Sequence, residues 1–350
     1  MSKAPDQFVH GVSPYAIKSG KGCYVRDVDG NEYLDLTCSL GAVVLGYRHP
    51  VVERAIRKQR GERGTIFGLP SDPEILLAEK LHKLIPFIDM ARFGLNGSDV
   101  TGAAIRVARA YTGRDHIAKC GYHGWHDWAI GTNPIRSKGI PQAIKDLSHD
   151  FSFNDIKSLE MLFQKYPDQI AAVILEPINN AMPKSGFLQA VKDLTHKNGA
   201  VLIFDELITG FRVAVGGAAE YFGVEPDLVC YGKAISNGEP LSVLAGKKEL
   251  MSELDTVFVS FTYAGYLPSI AAALAVLDFM KGGKVQRKLW KTGAMLMDGY
   301  ERLIEKYDLP IILEGYAPHP TFSFKDKDGI DNLPLKTLYL QETAKAGILT

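Results

Sequence analysis

The sequence lacks the marks of several common protein classes. No run of five or more Lys or Arg occurs, and 40 basic residues are balanced by 40 acidic ones. That removes the electrostatic case for nucleic acid or an anionic membrane as partner. The four cysteines, Cys23, Cys38, Cys120 and Cys230, are scattered and form no CxxC pair. No disulfide frame or zinc site is expected, and the expected compartment is a reducing cytoplasm. No apolar stretch approaches the roughly 18 residues of a membrane span. The opening MSKAPDQFVHGVSP has no apolar core, so no signal peptide is expected. Internal repeats and low-complexity linkers are absent. Gly216-Gly217 has neither the preceding strand nor the GxGxxG spacing of a dinucleotide loop. His123 and His126, with Trp125 between them, are too few to hold a metal, and no metal is expected.

What is present points to alternating strands and helices. A length of 350 residues allows one large domain or two ordinary ones. Residues 21–37, KGCYVRDVDGNEYLDLT, read as strand, turn and strand around Asp29-Gly30. DVDGNEY begins like a calcium loop but lacks the later ligands. In residues 71–86, Ser71 and Glu74 have capping-box spacing and Pro73 sits in the first turn. Ile75, Leu77, Ala78, Leu81 and Leu84 form the expected apolar face of that helix. A second helix is expected over 101–111. Short apolar runs follow at 116–120 (HIAKC), 171–177 (AAVILEP), 200–204 (AVLIF) and 227–232 (DLVCYG). Helices are expected over 187–199 and 269–283, each closed by glycine. Continuous apolar strands alternating with helices imply a mainly parallel sheet covered on both faces.

In such sheets ligands bind beyond the carboxyl ends of the strands. HIAKC is followed by Gly121, Tyr122 and His123, and AAVIL by Glu176. AVLIF runs into Asp205 and Glu206, and DLVCYG into Lys233. Asn96-Gly97-Ser98-Asp99 stands directly before a helix, where free N–H groups and the helix dipole form an anion seat. A phosphate seat, an aromatic ring, a buried Asp and a strand-end lysine suggest pyridoxal phosphate. The lysine would form an imine with its aldehyde, and a buried Asp would keep its pyridine nitrogen protonated.

These residues resemble a known family. The stretches 202-LIFDELITGFR-212 and 227-DLVCYGKAISNGEPLSVLAGK-247 are similar to the signature of the class III pyridoxal-phosphate-dependent aminotransferases. The resemblance is strongest to the glutamate-1-semialdehyde 2,1-aminomutase branch. It extends to 26-RDVDGNEYLDL-36, 96-NGSDVTGAAIRVARAYTGR-114, 121-GYHGWHDW-128, 174-ILEP-177 and 259-VSFTYAG-265. It implies an aspartate-aminotransferase-like α/β fold (fold type I) with a mainly parallel central sheet and a smaller α+β domain. An N-terminal segment over 1–55 and a truncated C-terminal unit over 306–350 are expected to form the smaller domain. The large cofactor-binding domain is expected over 56–305.

The resemblance also implies roles. Lys233 corresponds to the Schiff-base lysine and Asp205 to the partner of the pyridine nitrogen. Tyr122 corresponds to the ring-stacking aromatic, with His123 beside it, and Ile208 to the aliphatic residue on the opposite ring face. Gly97, Ser98 and Asp99 match the phosphate segment, where the family usually shows Ser-Gly-Thr. An acidic Asp99 beside a phosphate would repel it unless its side chain caps the helix instead. Thr262 corresponds to a residue that reaches the phosphate of the other subunit, which implies a homodimer with a shared active site. Here it opens Thr-Tyr-Ala-Gly-Tyr, where near relatives often read Thr-Phe-Gly-Gly-Glu. Glu176 is a further carboxylate near the site. Glu206 is expected to support Asp205 and to turn toward Arg212. The implied activity is amino transfer between a small-molecule amino donor and a keto or aldehyde acceptor. The alternatives are intramolecular transfer as a 2,1-aminomutase, amino-sugar transamination, and a truncated non-catalytic homologue.

Overall fold

A computed structural model describes residues 9–325 and 329–350. Its N-terminal part is an antiparallel meander of β1 (Ile17–Lys21), β2 (Tyr24–Asp27) and β3 (Glu32–Asp35). The expected turn at Asp29-Gly30 is present, with Gly30 at φ 94°. Asp27 serves this turn. Its Oδ1 accepts from the N–H of Asp29 and Asn31, and its Oδ2 from the Asn31 amide and the Tyr33 hydroxyl. The acidic residues of this stretch thus hold a hairpin.

The helix Asp72–Leu84 starts at Ser71, whose N–H and Oγ both donate to Glu74 Oε2, at 2.9 and 2.7 Å. Leu77 and Leu81 are fully buried, whereas Ile75 is 55% exposed. The buried stripe is Pro73, Leu77 and Leu81, spaced four apart, and Ile75 falls on the opposite side.

The central sheet has seven strands. They are β4 (Met90–Gly94), β5 (His116–Cys120), β6 (Ser148–Asp150), β7 (Ile170–Leu175), β8 (Val201–Glu206), β9 (Leu228–Tyr231) and β10 (Ser242–Gly246), in the order β4-β10-β9-β8-β7-β5-β6. From β6 to β9 all pairs are parallel. β10 runs antiparallel to both β9 and β4. All six residues of β7 and of β8 are buried. Successive side chains alternate between two cores. Val201, Ile203, Leu228 and Cys230 join the core under helix Gly97–Thr112, while Leu202, Phe204, Val229 and Tyr231 join the other. Helix Phe187–Lys197 covers that second face through Leu188 and Val191.

β11 (Ile311–Tyr316) and β12 (His319–Phe324) form a hairpin after the long helix Lys284–Tyr307. β13 (Ile348–Leu349) pairs parallel with β3, so the first and last described segments share one sheet. Among the described residues no helix is long and apolar enough to cross a membrane.

Candidate active site

Asp205 and Glu206 end β8, and the strand period of two sends them to opposite faces. Asp205 points to the side of helix Gly97–Thr112. Its Oδ2 lies 2.8 Å from His123 Nδ1, and its Oδ1 accepts from the Leu207 N–H at 3.2 Å. His123 Nε2 donates to the Cys120 carbonyl at 3.1 Å. Both side chains of the pair are almost completely shielded from water.

His123 is held in place by helix Gly97–Thr112. Thr101 Oγ1 donates to the His123 carbonyl at 2.9 Å, and Ser98 Oγ accepts from the Trp125 N–H at 3.2 Å. Asp99 does turn back to cap the helix. Its Oδ2 accepts from the N–H groups of Leu95 and Asn96, at 3.1 and 2.8 Å. Gly97 permits a close approach, because a Cβ there would collide with Leu207 Cδ1. A Cβ on Gly232 would stand 2.6 Å from Leu207 Cδ2. Leu207 therefore wedges between the helix start and the strand end that leads to Lys233.

Lys233 follows Gly232 with φ 46°, a left-handed conformation unusual for a side chain this long. It begins a tight turn, Lys233–Ser236, which ends at Asn237 with φ 52°. Asn237 Oδ1 accepts from the Leu45 N–H at 2.7 Å and its amide donates to the Gly46 carbonyl at 3.1 Å. No hydrogen bond holds the Lys233 amine among the described residues. Burial pushes its pKa down and Arg212 adds to that, while Asp205 and Glu176 push it up.

Glu176, just past β7, accepts from the Tyr122 N–H at 3.1 Å and the Asn179 amide at 3.4 Å through Oε2. The Tyr122 ring itself is 63% exposed. Burial, then the Asp205 charge, raise Glu176 to about 7, against His123, the Tyr122 N–H and Lys233. A carboxyl raised from 4.5 to about 7 stabilises the fold fully below its ordinary value, and that contribution is lost as pH rises through 7. The unfolding free energy of the wild type should therefore fall by roughly 3 kcal/mol relative to Glu176→Gln between these pH values. Urea denaturation at several pH values reads this difference; parallel curves for the two proteins would refute it.

Glu206 does not turn to Arg212, contrary to the expectation. On the far face of β8 it caps helix Gly217–Phe222. Oε2 accepts from the Ala218 N–H at 2.6 Å and Thr209 Oγ1 at 2.7 Å, and Oε1 from the Ala219 N–H at 2.8 Å. Burial nevertheless raises it to about 7. Arg212 binds two backbone carbonyls instead, those of Gly41 and Pro318.

The structure thus brings Lys233, Asp205, His123, Glu176 and the backbone of Tyr122 together, beside the helix start at Gly97, Ser98 and Asp99. Ile208 is half-buried in the turn after β8. Thr262 is exposed in the turn before helix Leu267–Met280. Sequence reasoning missed Leu207, Asn237 and His319. His319, at the start of β12, feels both Arg212 and Lys233, and burial followed by these cations lowers it to about 4. The only signal was positional: Leu207 and Asn237 lie within the quoted signatures.

The aminotransferase class III family model matches residues 8–313. The 3-aminobutyryl-CoA aminotransferase of Cloacimonas acidaminovorans is 37% identical over 337 residues, covering 94% of this chain and 80% of its own length. The glutamate-1-semialdehyde 2,1-aminomutase of Methanococcoides burtonii is 37% identical over 338 residues, covering 91% and 80%. Among solved structures, the FumI protein of Sphingopyxis sp. MTA144 in its PLP internal aldimine form superposes with TM-score 0.87 at 26% identity, over 99% of this chain and 92% of that one. An omega-transaminase from Sphaerobacter thermophilus superposes at 0.81 with 29% identity, over 96% and 81%. This chain is a member of the class III aminotransferase family, with the family's fold type I architecture.

Proposed function

We propose that the protein is a pyridoxal-phosphate-dependent aminotransferase in which Lys233 carries the cofactor and moves the proton. The single observation behind this is the desolvated Lys233 amine, without a hydrogen bond, facing the Asp205 and Glu176 carboxylates at the strand ends.

The residues present fit the cofactor. Asp205 is a buried carboxylate that would hold the ring nitrogen, oriented by His123. Gly97 and Ser98 would hold the phosphate through the start of helix Gly97–Thr112. Asp99 is compatible with an anion there because its carboxylate is turned back onto Leu95 and Asn96. Tyr122 and Ile208 would cover the two ring faces. When bound, the cofactor supplies an aldehyde that takes up the amino group and a ring that draws electrons from the substrate Cα. Lys233 Nζ, whose pKa burial lowers, would take the Cα proton and return it. Asp205 would hold the ring nitrogen through its carboxylate.

The partners are a small amino donor and a keto or aldehyde acceptor. A homodimer that shares the site is supported by the exposed Thr262 and by aromatic side chains around helix Gly97–Thr112. Phe258 is 80% and Trp125 72% exposed there, and Arg106 Nη1 donates to the Phe258 carbonyl. The division at about residues 55 and 305 is supported by the sheet that β13 shares with β1–β3. A reducing cytoplasm is supported by four free thiols.

Purified protein supplied with pyridoxal phosphate should turn yellow, and borohydride should fix a pyridoxyl group on Lys233. An amino-donor screen that includes 3-aminobutyryl thioesters and glutamate-1-semialdehyde then separates transfer from intramolecular exchange. Amino transfer requires a second keto product; its absence with every donor would favour the aminomutase. Protein that stays colourless with added cofactor would defeat the proposal.

A further inference from the structure

Arg212 lies beyond β8 and is 6% exposed. Nη2 donates to the Gly41 carbonyl at 2.6 Å and Nη1 to the Pro318 carbonyl at 3.0 Å, while Nε is buried without an acceptor. Among the described residues no carboxylate forms an ion pair with it. A buried guanidinium compensated only by carbonyls costs several kcal/mol, so its retention asks for a role.

The two carbonyls come from opposite ends of the chain. Pro318 is in the turn of the β11–β12 hairpin. Gly41 closes a run of four left-handed residues: Cys38, Ser39 and Leu40 at φ 47°, 54° and 58°, and Gly41 at 80°. Each non-glycine residue in that conformation costs roughly 1–2 kcal/mol. The run survives because it is tied down. At its near end Asp35 Oδ1 accepts from the N–H groups of Thr37 and Cys38, at 2.9 and 3.2 Å, and from Thr37 Oγ1 at 2.7 Å. Tyr47 fixes the other Asp35 oxygen at 2.5 Å. At its far end stands Arg212, and the following residues Leu45 and Gly46 are bound to Asn237 in the turn of Lys233 itself. Strain maintained in this way is characteristic of functional sites.

Charge completes the picture. The groups that act on Lys233 are Asp205 at the end of β8, Glu176 past β7 and Arg212, and Lys233 and Arg212 both bear on His319 of β12. His123 also faces Asp205.

We propose that Arg212 is a positioning residue for Lys233: it fastens the left-handed Cys38–Gly41 turn and the β11–β12 hairpin beside the lysine, and it places a positive charge against those of Asp205 and Glu176. The role in catalysis rests on the aminotransferase reading above. Without this cation burial still lowers the amine's pKa, but the pull of the two carboxylates is unopposed by a neighbouring positive charge, and the amine is protonated to a higher pH.

The test uses the full chain without cofactor. Formaldehyde and cyanoborohydride methylate the unprotonated amine, and the Lys233 peptide is quantified by mass spectrometry across pH. Arg212→Met should move the Lys233 profile upward in pH, so labelling at a fixed pH below the midpoint slows relative to the wild type. Arg212→Lys keeps the charge and should hold the profile near the wild type. A folded Arg212→Met with an unmoved profile overturns the proposal, as does Arg212→Lys shifting equally far. Should Arg212→Met fail to fold, Gly41→Ala carries the test. It puts a Cβ in a φ of 80°, 3.4 Å from Arg212 Nη2, and leaves the charge in place. On the cofactor-loaded protein, with the donor the screen above identifies, a raised KM is expected beside an unmoved Lys233 profile of the cofactor-free chain; an unchanged KM overturns the clasp. A wild-type chain that takes up no pyridoxal phosphate defeats the cofactor reading, and the methylation profile still judges Arg212 by itself.

Discussion

Lys233→Ala is expected to lower turnover by about 10²–10⁴-fold for the lost proton transfer alone, and to abolish the borohydride-fixed pyridoxyl group. Among the described residues of the site, the Lys233 amine is the group proposed to carry the cofactor. It is desolvated, lacks a hydrogen bond and faces two carboxylates. The fold should tolerate the change, since Lys233 already bears the strain of its left-handed φ of 46° and alanine adds none. Lys233→Arg makes a sharper control. It keeps the charge but cannot lose a proton near neutrality, so it should be as inactive as the alanine variant. Retention of more than a tenth of wild-type turnover in either variant would remove Lys233 from the mechanism.

The adjacent acids should fail in opposite ways. Asp205→Asn preserves shape and an acceptor for the Leu207 N–H, so the fold should stand. It removes the fixed charge, and turnover should drop roughly 10²–10³-fold. Glu206→Ala touches no group near Lys233, yet it strands the N–H groups of Ala218 and Ala219 and the Thr209 hydroxyl in a fully buried space. Stranded buried donors cost about 1–3 kcal/mol each before relaxation. A loss of about 2–5 kcal/mol is expected, or roughly 3–7 °C in the thermal midpoint of a chain this long. Calorimetry and steady-state kinetics on the two variants separate these effects. A stable Glu206→Ala protein, or a fully active Asp205→Asn, would show the assignments reversed.

Much of the fold was legible because β5, β7, β8 and β9 are buried on both faces and read as unbroken apolar runs. β4 and β10 were not. β4 carries Arg92 amid five residues, and β10 lies inside the stretch that follows Lys233, with only five residues of its own. The helix at Gly97 was placed late, at residue 101, because its first turn holds Gly, Ser and Asp rather than apolar residues. In the site, the groups at the strand ends were legible from position. The destination of Glu206 was not. Its partners are backbone N–H groups, which every residue but proline carries, so no side chain announces them. An arginine six residues on looked like the natural partner and instead bound carbonyls at Gly41 and Pro318, about a hundred or more residues away in sequence.

By itself, then, the sequence determined the family, the mainly parallel sheet and the order in which chemical groups meet the strand ends. Those follow from local periodicity and from which residue comes next in the chain. Only the tertiary structure decided what each charge faces: His123 against Asp205, backbone amides around Glu206, two carbonyls on Arg212, and a strained turn beside Lys233. Such pairings depend on segments far apart in sequence being packed against one another, and a buried polar group takes whichever partner that packing leaves within hydrogen-bond reach.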